Sequence, residues 1–161
     1  VGMDQDGKYS KVDARGNVDC HIILRGGKNG ELHANYDVES VRKAQEMLRK
    51  NDLPPRIMVD CSHGNALRID PASGKKEKDY RTQANVFGEV ISQIVEGNNN
   101  IIGLMLESNI NEGKQDVPKG LKNVNELKWG VSITDACIGL EETKRVIMDT
   151  YKQLKAYTTR T

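Results

Sequence analysis

The sequence predicts an α/β fold built on a parallel sheet, and three observations carry that prediction. Short apolar runs of strand character recur at residues 20–24, 56–60 and 101–106. Each is followed, sooner or later, by a segment whose apolar residues repeat at helical spacing, over 38–50, 79–96 and 140–157. Each run also stops at a polar cluster: Arg25-Gly26-Gly27-Lys28, then Cys61-Ser62-His63-Gly64-Asn65, then Glu107-Ser108-Asn109. Strands that alternate with amphipathic helices imply a parallel sheet. Parallel strands present their C-terminal ends on one side, so the three clusters are expected to share one face, where such proteins keep their active sites.

In chain order, residues 1–12 alternate loosely around Asp6-Gly7, a dipeptide that favours a tight hairpin turn. Gly16-Asn17 punctuates the chain before the first apolar run, whose continuous Ile-Ile-Leu pattern suits a strand buried on both faces. The helix at 38–50 has Asp37 as N-cap and a stripe of Val38, Val41, Ala44 and Leu48. Pro54-Pro55 closes the connection to the second strand. Residues 66–78 read as a polar loop with Gly74 and several lysines. The helix at 79–96 follows, with Tyr80, Ala84, Phe87, Ile91 and Ile94 as its stripe and Gly97 as its stop. A polar stretch of about 25 residues separates Glu107 from Ser132, a length that in compact domains marks functional or disordered chain. Trp129, the sole Trp, is assigned the default task of packing that stretch down. Order is expected to resume at 131–137. The last helix has Glu141 and Glu142 in its first turn and Lys152 and Lys155 toward its end, as the helix dipole prefers.

Bulk properties narrow the function. The chain has 161 residues, 37% hydrophobic and 29% charged, an ordinary globular composition with enough length for one core. With 24 basic and 23 acidic side chains the net charge is +1, which gives no reason to expect nucleic acid or an anionic membrane. Cys20, Cys61 and Cys137 are odd in number and widely spaced, not a disulfide framework. No apolar run approaches ~20 residues and no signal-peptide pattern opens the sequence, so a reducing, cytoplasmic setting is expected. Val1 is not an initiator Met, which suggests a processed or incomplete chain.

His63, Glu107 and Asp135 offer one nitrogen and two carboxylates for a divalent metal, with Cys61 and Cys137 as further candidates. Such mixed ligands suit manganese, iron, cobalt or zinc better than magnesium. A metal with an open position acts as a Lewis acid on a carbonyl or phosphoryl oxygen. The plainer alternative makes Glu107 and Asp135 helix-entry carboxylates and His63 a satisfied polar residue. Arg25-Gly26-Gly27-Lys28 places two glycines between two cations, as a phosphate or carboxylate clamp requires. A turn closing a βα junction, or a single RGG-type RNA element, fits the same residues. Ser62 beside His63 invites a nucleophile reading, but no Gly-x-Ser-x-Gly elbow surrounds it.

Taken together, four stretches carry a resemblance. They are Gly16-Asn17 with Cys20-His-Ile-Ile-Leu-Arg-Gly-Gly-Lys28, then Asp60-Cys-Ser-His-Gly-Asn65, then Glu107-Ser-Asn-Ile-Asn-Glu-Gly113, and Trp129-Gly-Val-Ser-Ile-Thr-Asp-Ala-Cys-Ile-Gly139. They resemble the 3-deoxy-D-arabino-heptulosonate 7-phosphate (DAHP) synthases of the microbial, feedback-regulated class I type, in order and along most of the chain. The resemblance implies a (β/α)8 TIM barrel, of which residues 19–161 would supply about the last three βα units. It makes residues 1–18 the hairpin insertion that helps form the aromatic amino acid feedback site.

The reaction it implies condenses phosphoenolpyruvate with erythrose 4-phosphate, the first step of the shikimate pathway, in enzymes that are dimers or tetramers. By the same carry-over His63, Glu107 and Asp135 are metal ligands and Arg25 and His63 are catalytic. Arg25, His63 and Asp135 then lie on the substrate side. The family's cysteine ligand and its Lys-Pro-Arg-Thr-like erythrose 4-phosphate segment are absent from these residues, and Cys61 and Cys137 match neighbouring positions instead. A barrel of this type needs ~250 residues. The expectation is therefore a C-terminal fragment, inactive alone and poorly suited to folding alone. The competing expectation is a non-catalytic α/β module that binds an anionic metabolite or a regulatory amino acid.

Overall fold

The computed structural model describes residues 1–11, 13, 16–120 and 123–158. Its centre is a three-stranded parallel sheet made of β3 (Ile22–Leu24), β6 (Ile57–Asp60) and β9 (Ile101–Met105), in the order β3-β6-β9. Ile22 pairs with Ile57 and Leu24 with Val59 on one side, and Val59 with Leu104 and Asp60 with Met105 on the other. A register irregularity at Ile57/Met58 sets Gly103 opposite Met58, where a Cβ on residue 103 would meet the Met58 methyl at 3.0 Å. The parallel sheet predicted from the alternation is present.

The helices are α1 (Val38–Lys50), α2 (Gln83–Val95) and α3 (Leu140–Thr158). Asp37 caps α1 as expected, its carboxylate accepting from the Ser40 N–H at 2.9 Å and the Ser40 hydroxyl at 2.6 Å. Val41, Ala44 and Leu48 pack on the sheet, while Val38, in the first turn, is exposed. The buried core joins Leu24, Val41, Ile57, Val59, Val90 and Ile101. Alternate residues of each strand point the same way, so α1 and α2 cover one face only. On the opposite side Ile23 is 44% exposed and Ile102, at the irregularity, 49%.

The deepest line of α2 is only partly the predicted one. Ile91 is buried and Ile94 packs on the core as expected. Gln83, Val86 and Val90, however, are buried where Ala84 and Phe87 are only half-buried, and Tyr80 lies in a 3-10 turn, Tyr80–Thr82, ahead of the helix. Gly97, at φ +109°, ends the segment as expected.

Three antiparallel hairpins decorate this frame. β1 (Gly2–Met3) and β2 (Tyr9–Ser10) form the expected one. Asp4 closes it, accepting from the N–H groups of Asp6 and Lys8 and from the Ser10 hydroxyl, while Gly7 takes φ +76°. Val12, the last residue of that expectation, lies outside the described residues. β4 (Gly27–Asn29) and β5 (Glu31–His33) form the second, directly after Arg25-Gly26. β7 (Leu67–Ile69) and β8 (Lys76–Lys78) form the third, where the sequence suggests a loop over 66–78. Its turn is built by Asp70, which accepts from the N–H groups of Ala72 and Ser73, and by Gly74 at φ +68°. A cross-strand Arg68–Glu77 ion pair secures its stem.

The polar stretch after β9 is ordered where it is described. Bridges join Ser108 to Ile138, Gly113 to Cys137 and Lys114 to Ser132, which is how order resumes at 131–137. Trp129 does not pack it down: the ring is 77% exposed. Side-chain amides do that work instead. Asn111 donates to the Trp129 carbonyl, and Gln115 donates to the Lys128 and Val131 carbonyls and accepts from the Lys128 N–H. Among the described residues no helix is long and apolar enough to cross a membrane.

Candidate metal centre at the C-terminal end of the sheet

β6 delivers Asp60 and then turns sharply, with the N–H groups of Asn65 and Ala66 both donating to the Ser62 carbonyl. His63 sits at the crest of this turn with φ +46°, a left-handed conformation uncommon outside glycine. Its ring lies across the sheet end. Nδ1 is 2.7 Å from Asp60 Oδ2, and Nε2 is 3.6 Å from both Glu107 Oε1 and Asp135 Oδ2. The three donor atoms of His63, Glu107 and Asp135 fall within 4.8 Å of one another. The structure thus brings together the three residues that the sequence nominates.

Asp60 is what sequence reasoning missed. Its carboxylate is 2% exposed and also accepts from the Ser62 N–H at 2.8 Å. An ionised carboxylate only accepts, so it fixes the proton on Nδ1 and turns the Nε2 lone pair toward the two acids. Metal-binding histidines use this arrangement to hold tautomer and ring orientation. The Asp-x-x-His spacing at the end of an apolar run was the available signal.

Glu107 is held by Gln83, another residue that the apolar stripe passed over. The fully buried Gln83 amide accepts from the Glu107 N–H at 2.8 Å and donates to its carbonyl at 3.3 Å. The Glu107 carbonyl also accepts from the Ile138 N–H, and the Asn109 N–H donates to the Ile138 carbonyl, so the segment bearing Asp135 is tied to the one bearing Glu107. Neither carboxylate sits inside a helix entry: α3 begins at Leu140, beyond Asp135.

Asn65 ties β3 to β6. Its amide donates to the carbonyls of Leu24 and Asp60 and its oxygen accepts from the Asn35 N–H, while Asn35 accepts from the Gly26 N–H. The backbones meet so closely that a Cβ on Gly26 would lie 2.3 Å from the Gly64 carbonyl carbon, and the Gly64 N–H donates to the Arg25 carbonyl. Arg25 is therefore anchored beside His63 with its side chain exposed and, among the described residues, in no ion pair. Gly27 and Lys28 do not form a glycine cradle. They open β4 instead.

The cysteines stay outside the cluster. Burial, reinforced by the Asp60 charge, pushes the Cys61 thiol up to about 12, and burial likewise raises that of Cys137. Both are neutral thiols near neutral pH, whereas a cysteine ligand binds as thiolate. The remaining set of one imidazole nitrogen and two carboxylate oxygens fits a divalent transition metal. Two carboxylates facing one lone pair, with no lysine or arginine paired to them among the described residues, is a donor set that a bound ion would complete.

Comparison with known proteins agrees with this geometry. Residues 3–148 match the family model described as the DAHP synthetase I family. The chain is 42% identical over 158 residues to the tyrosine-inhibited phospho-2-dehydro-3-deoxyheptonate aldolase of Schizosaccharomyces pombe, covering 97% of this chain and 38% of that protein. It is 40% identical over 159 residues to the Tyr-sensitive aldolase of Escherichia coli, covering 99% of this chain and 40% of that one. The structure of the aldolase from Francisella tularensis aligns with a TM-score of 0.77 at 32% identity, over 96% of this chain and 40% of that chain. The chain thus spans about two fifths of the length of these relatives. The family match covers both the hairpin and the donor-bearing strand ends, and with it the chain belongs to the DAHP synthetase I family.

Proposed function

We propose that this chain carries the metal-binding part of a cytoplasmic synthase that condenses phosphoenolpyruvate, erythrose 4-phosphate and water into DAHP and inorganic phosphate. The observation that carries the reading is the convergence of His63, Glu107 and Asp135, from three separate stretches of the chain, within 4.8 Å. The names of the relatives supply the reaction class. His63, Glu107 and Asp135 would hold one divalent ion of the manganese, iron, cobalt or zinc class, which supplies Lewis acidity toward a substrate oxygen. Asp60 keeps the proton on His63 Nδ1, so the opposite nitrogen stays a donor. Arg25, exposed beside the site, takes the phosphate or carboxylate of phosphoenolpyruvate with its planar fork.

The same reading makes residues 19–161 about three βα units of a (β/α)8 barrel, with residues 1–18 as a regulatory insertion. The uncovered side of the sheet supports it. Parallel sheets are covered on both faces, and Ile23 and Ile102 await such cover. Relatives named as tyrosine- or phenylalanine-inhibited suggest an aromatic amino acid as effector. A homodimer or homotetramer of the complete barrel is the working form. The chain of 161 residues alone is inactive.

The test takes the longest native polypeptide that contains this chain, strips it with a chelator, and assays condensation before and after adding manganese, cobalt or zinc. Activity should vanish, return with metal, and be lost in His63→Ala. Activity that survives both chelation and His63→Ala would refute the assignment. Metal binding with no turnover of these substrates would point instead to a binding module.

A further inference from the structure

The hairpins after the first two sheet strands stand side by side, β5 against β8. Between them lies a cavity of about 410 Å³ whose charged lining is Lys28, Lys75, Lys76 and Glu31, with Leu32 as its apolar wall. Gly30 and Gly74, at φ +75° and +68°, form the two hairpin tips at its rim, where no side chain screens the backbone.

Three cations thus face one acid. The other acids nearby are engaged: Glu77 and Asp79 pair with Arg68, and Asp70 accepts from its own turn. Among the described residues, none of the three ammonium groups has a carboxylate within ion-pair distance. Like charges gathered in a cleft without a counterion repel one another and raise the local concentration of anions. The volume is that of a small-metabolite pocket, more than a single halide would fill.

Both hairpins that line the cavity leave the sheet near the residues of the metal cluster. Lys28 is three residues beyond Arg25, so their Cα atoms are at most about 11 Å apart. β7 begins four residues after His63.

We propose that this cavity binds the phosphate group of a phosphate monoester, at a site separate from the His63–Glu107–Asp135 cluster. The monoester has two candidate sources. One is a phosphorylated substrate passing to the cluster, which rests on the function proposed above. The other is a separate phosphorylated metabolite that acts as an effector, which does not.

The experiment uses the longest native polypeptide and inorganic phosphate as probe, with binding followed by equilibrium dialysis. The triple variant Lys28→Gln/Lys75→Gln/Lys76→Gln should weaken one saturable class of phosphate binding by about tenfold, each exposed charge contributing a factor of roughly two to five. Manganese binding at the cluster should not change. Glu31→Gln, which removes the one like-charged group and leaves the lysines in place, should tighten the same class by about threefold.

If phosphate fails to bind, or if both variants give the wild-type isotherm, the proposal is overturned. A raised KM for a phosphorylated substrate at constant kcat in the triple variant identifies the substrate as the source. Weakened phosphate binding with unchanged kinetics identifies an effector. Should the polypeptide show no synthase activity, the dialysis result still decides the cavity by itself.

Discussion

Replacing Asp60 by asparagine keeps the shape of the side chain but removes the charge that fixes the His63 tautomer, and its effect should appear in metal affinity. Losing such a supporting partner typically costs 10–100-fold, so Asp60→Asn in the longest native polypeptide should weaken manganese or cobalt binding by about that factor. Isothermal titration would show it, and unchanged affinity would mean that the buried pair only packs. A second change tests the backbone contact that sets the site's floor. Gly26→Ala adds a Cβ 2.3 Å from the Gly64 carbonyl carbon at a φ of +67°, where an L side chain is strained as well. The expected loss of stability is about 2–4 kcal/mol, measured by urea unfolding. The donors were legible in the sequence because each is a ligand-capable side chain next to a stretch of strand or turn pattern. Asp60 was not, because a carboxylate closing a strand looks the same whether it caps a turn or braces an imidazole.

Gln83 shows how an element can hold a site from behind. It lies fully buried on α2, and its amide makes both backbone hydrogen bonds to Glu107. Gln83→Leu keeps the volume but leaves a buried N–H and carbonyl with fewer partners, at a cost of about 2–3 kcal/mol. Thermal unfolding would read the loss. Trp129→Ala, by contrast, should change stability by less than about 0.5 kcal/mol, because the ring is exposed and amides secure its loop. Helix α1 was readable to its ends because cap, stripe and proline stop all agree. The hairpin β7–β8 was not, since a strand reading Lys-Glu-Lys carries no apolar alternation and is defined by its turn and by the Arg68–Glu77 pair. Part of the buried line of α2 was missed for a related reason: its deepest position, Gln83, is an amide, which a search for apolar residues skips, although Ile91 and Ile94 were found.

At the scale of the whole molecule, the parallel sheet and the shared end of its strands followed from alternation alone, whereas the proposed closure into a barrel did not. Nothing in three apolar runs says how many partners complete them, and that reading rests on the uncovered side of the sheet and on the family. Stability should also follow pH through the core. Cys61 keeps its proton up to about 12 in the folded chain, while an unfolded thiol loses it near 9.0. The stabilising effect is thus fully present below pH 9 and is lost as pH rises toward 12, with a slope of about 1.4 kcal/mol per unit from this group. Urea midpoints of the longest native polypeptide between pH 8.5 and 10.5 should fall less steeply in Cys61→Ala, and parallel curves would remove Cys61 from the account. The face that carries Ile23 and Ile102 has a last consequence, in the life of the polypeptide in a cell. An apolar sheet surface flanked by unpaired strand edges is what chaperones bind and proteases clear. On the barrel reading proposed above, a copy that never closed would be short-lived, so the surface that closure would cover is also the one that would mark an unclosed chain for removal.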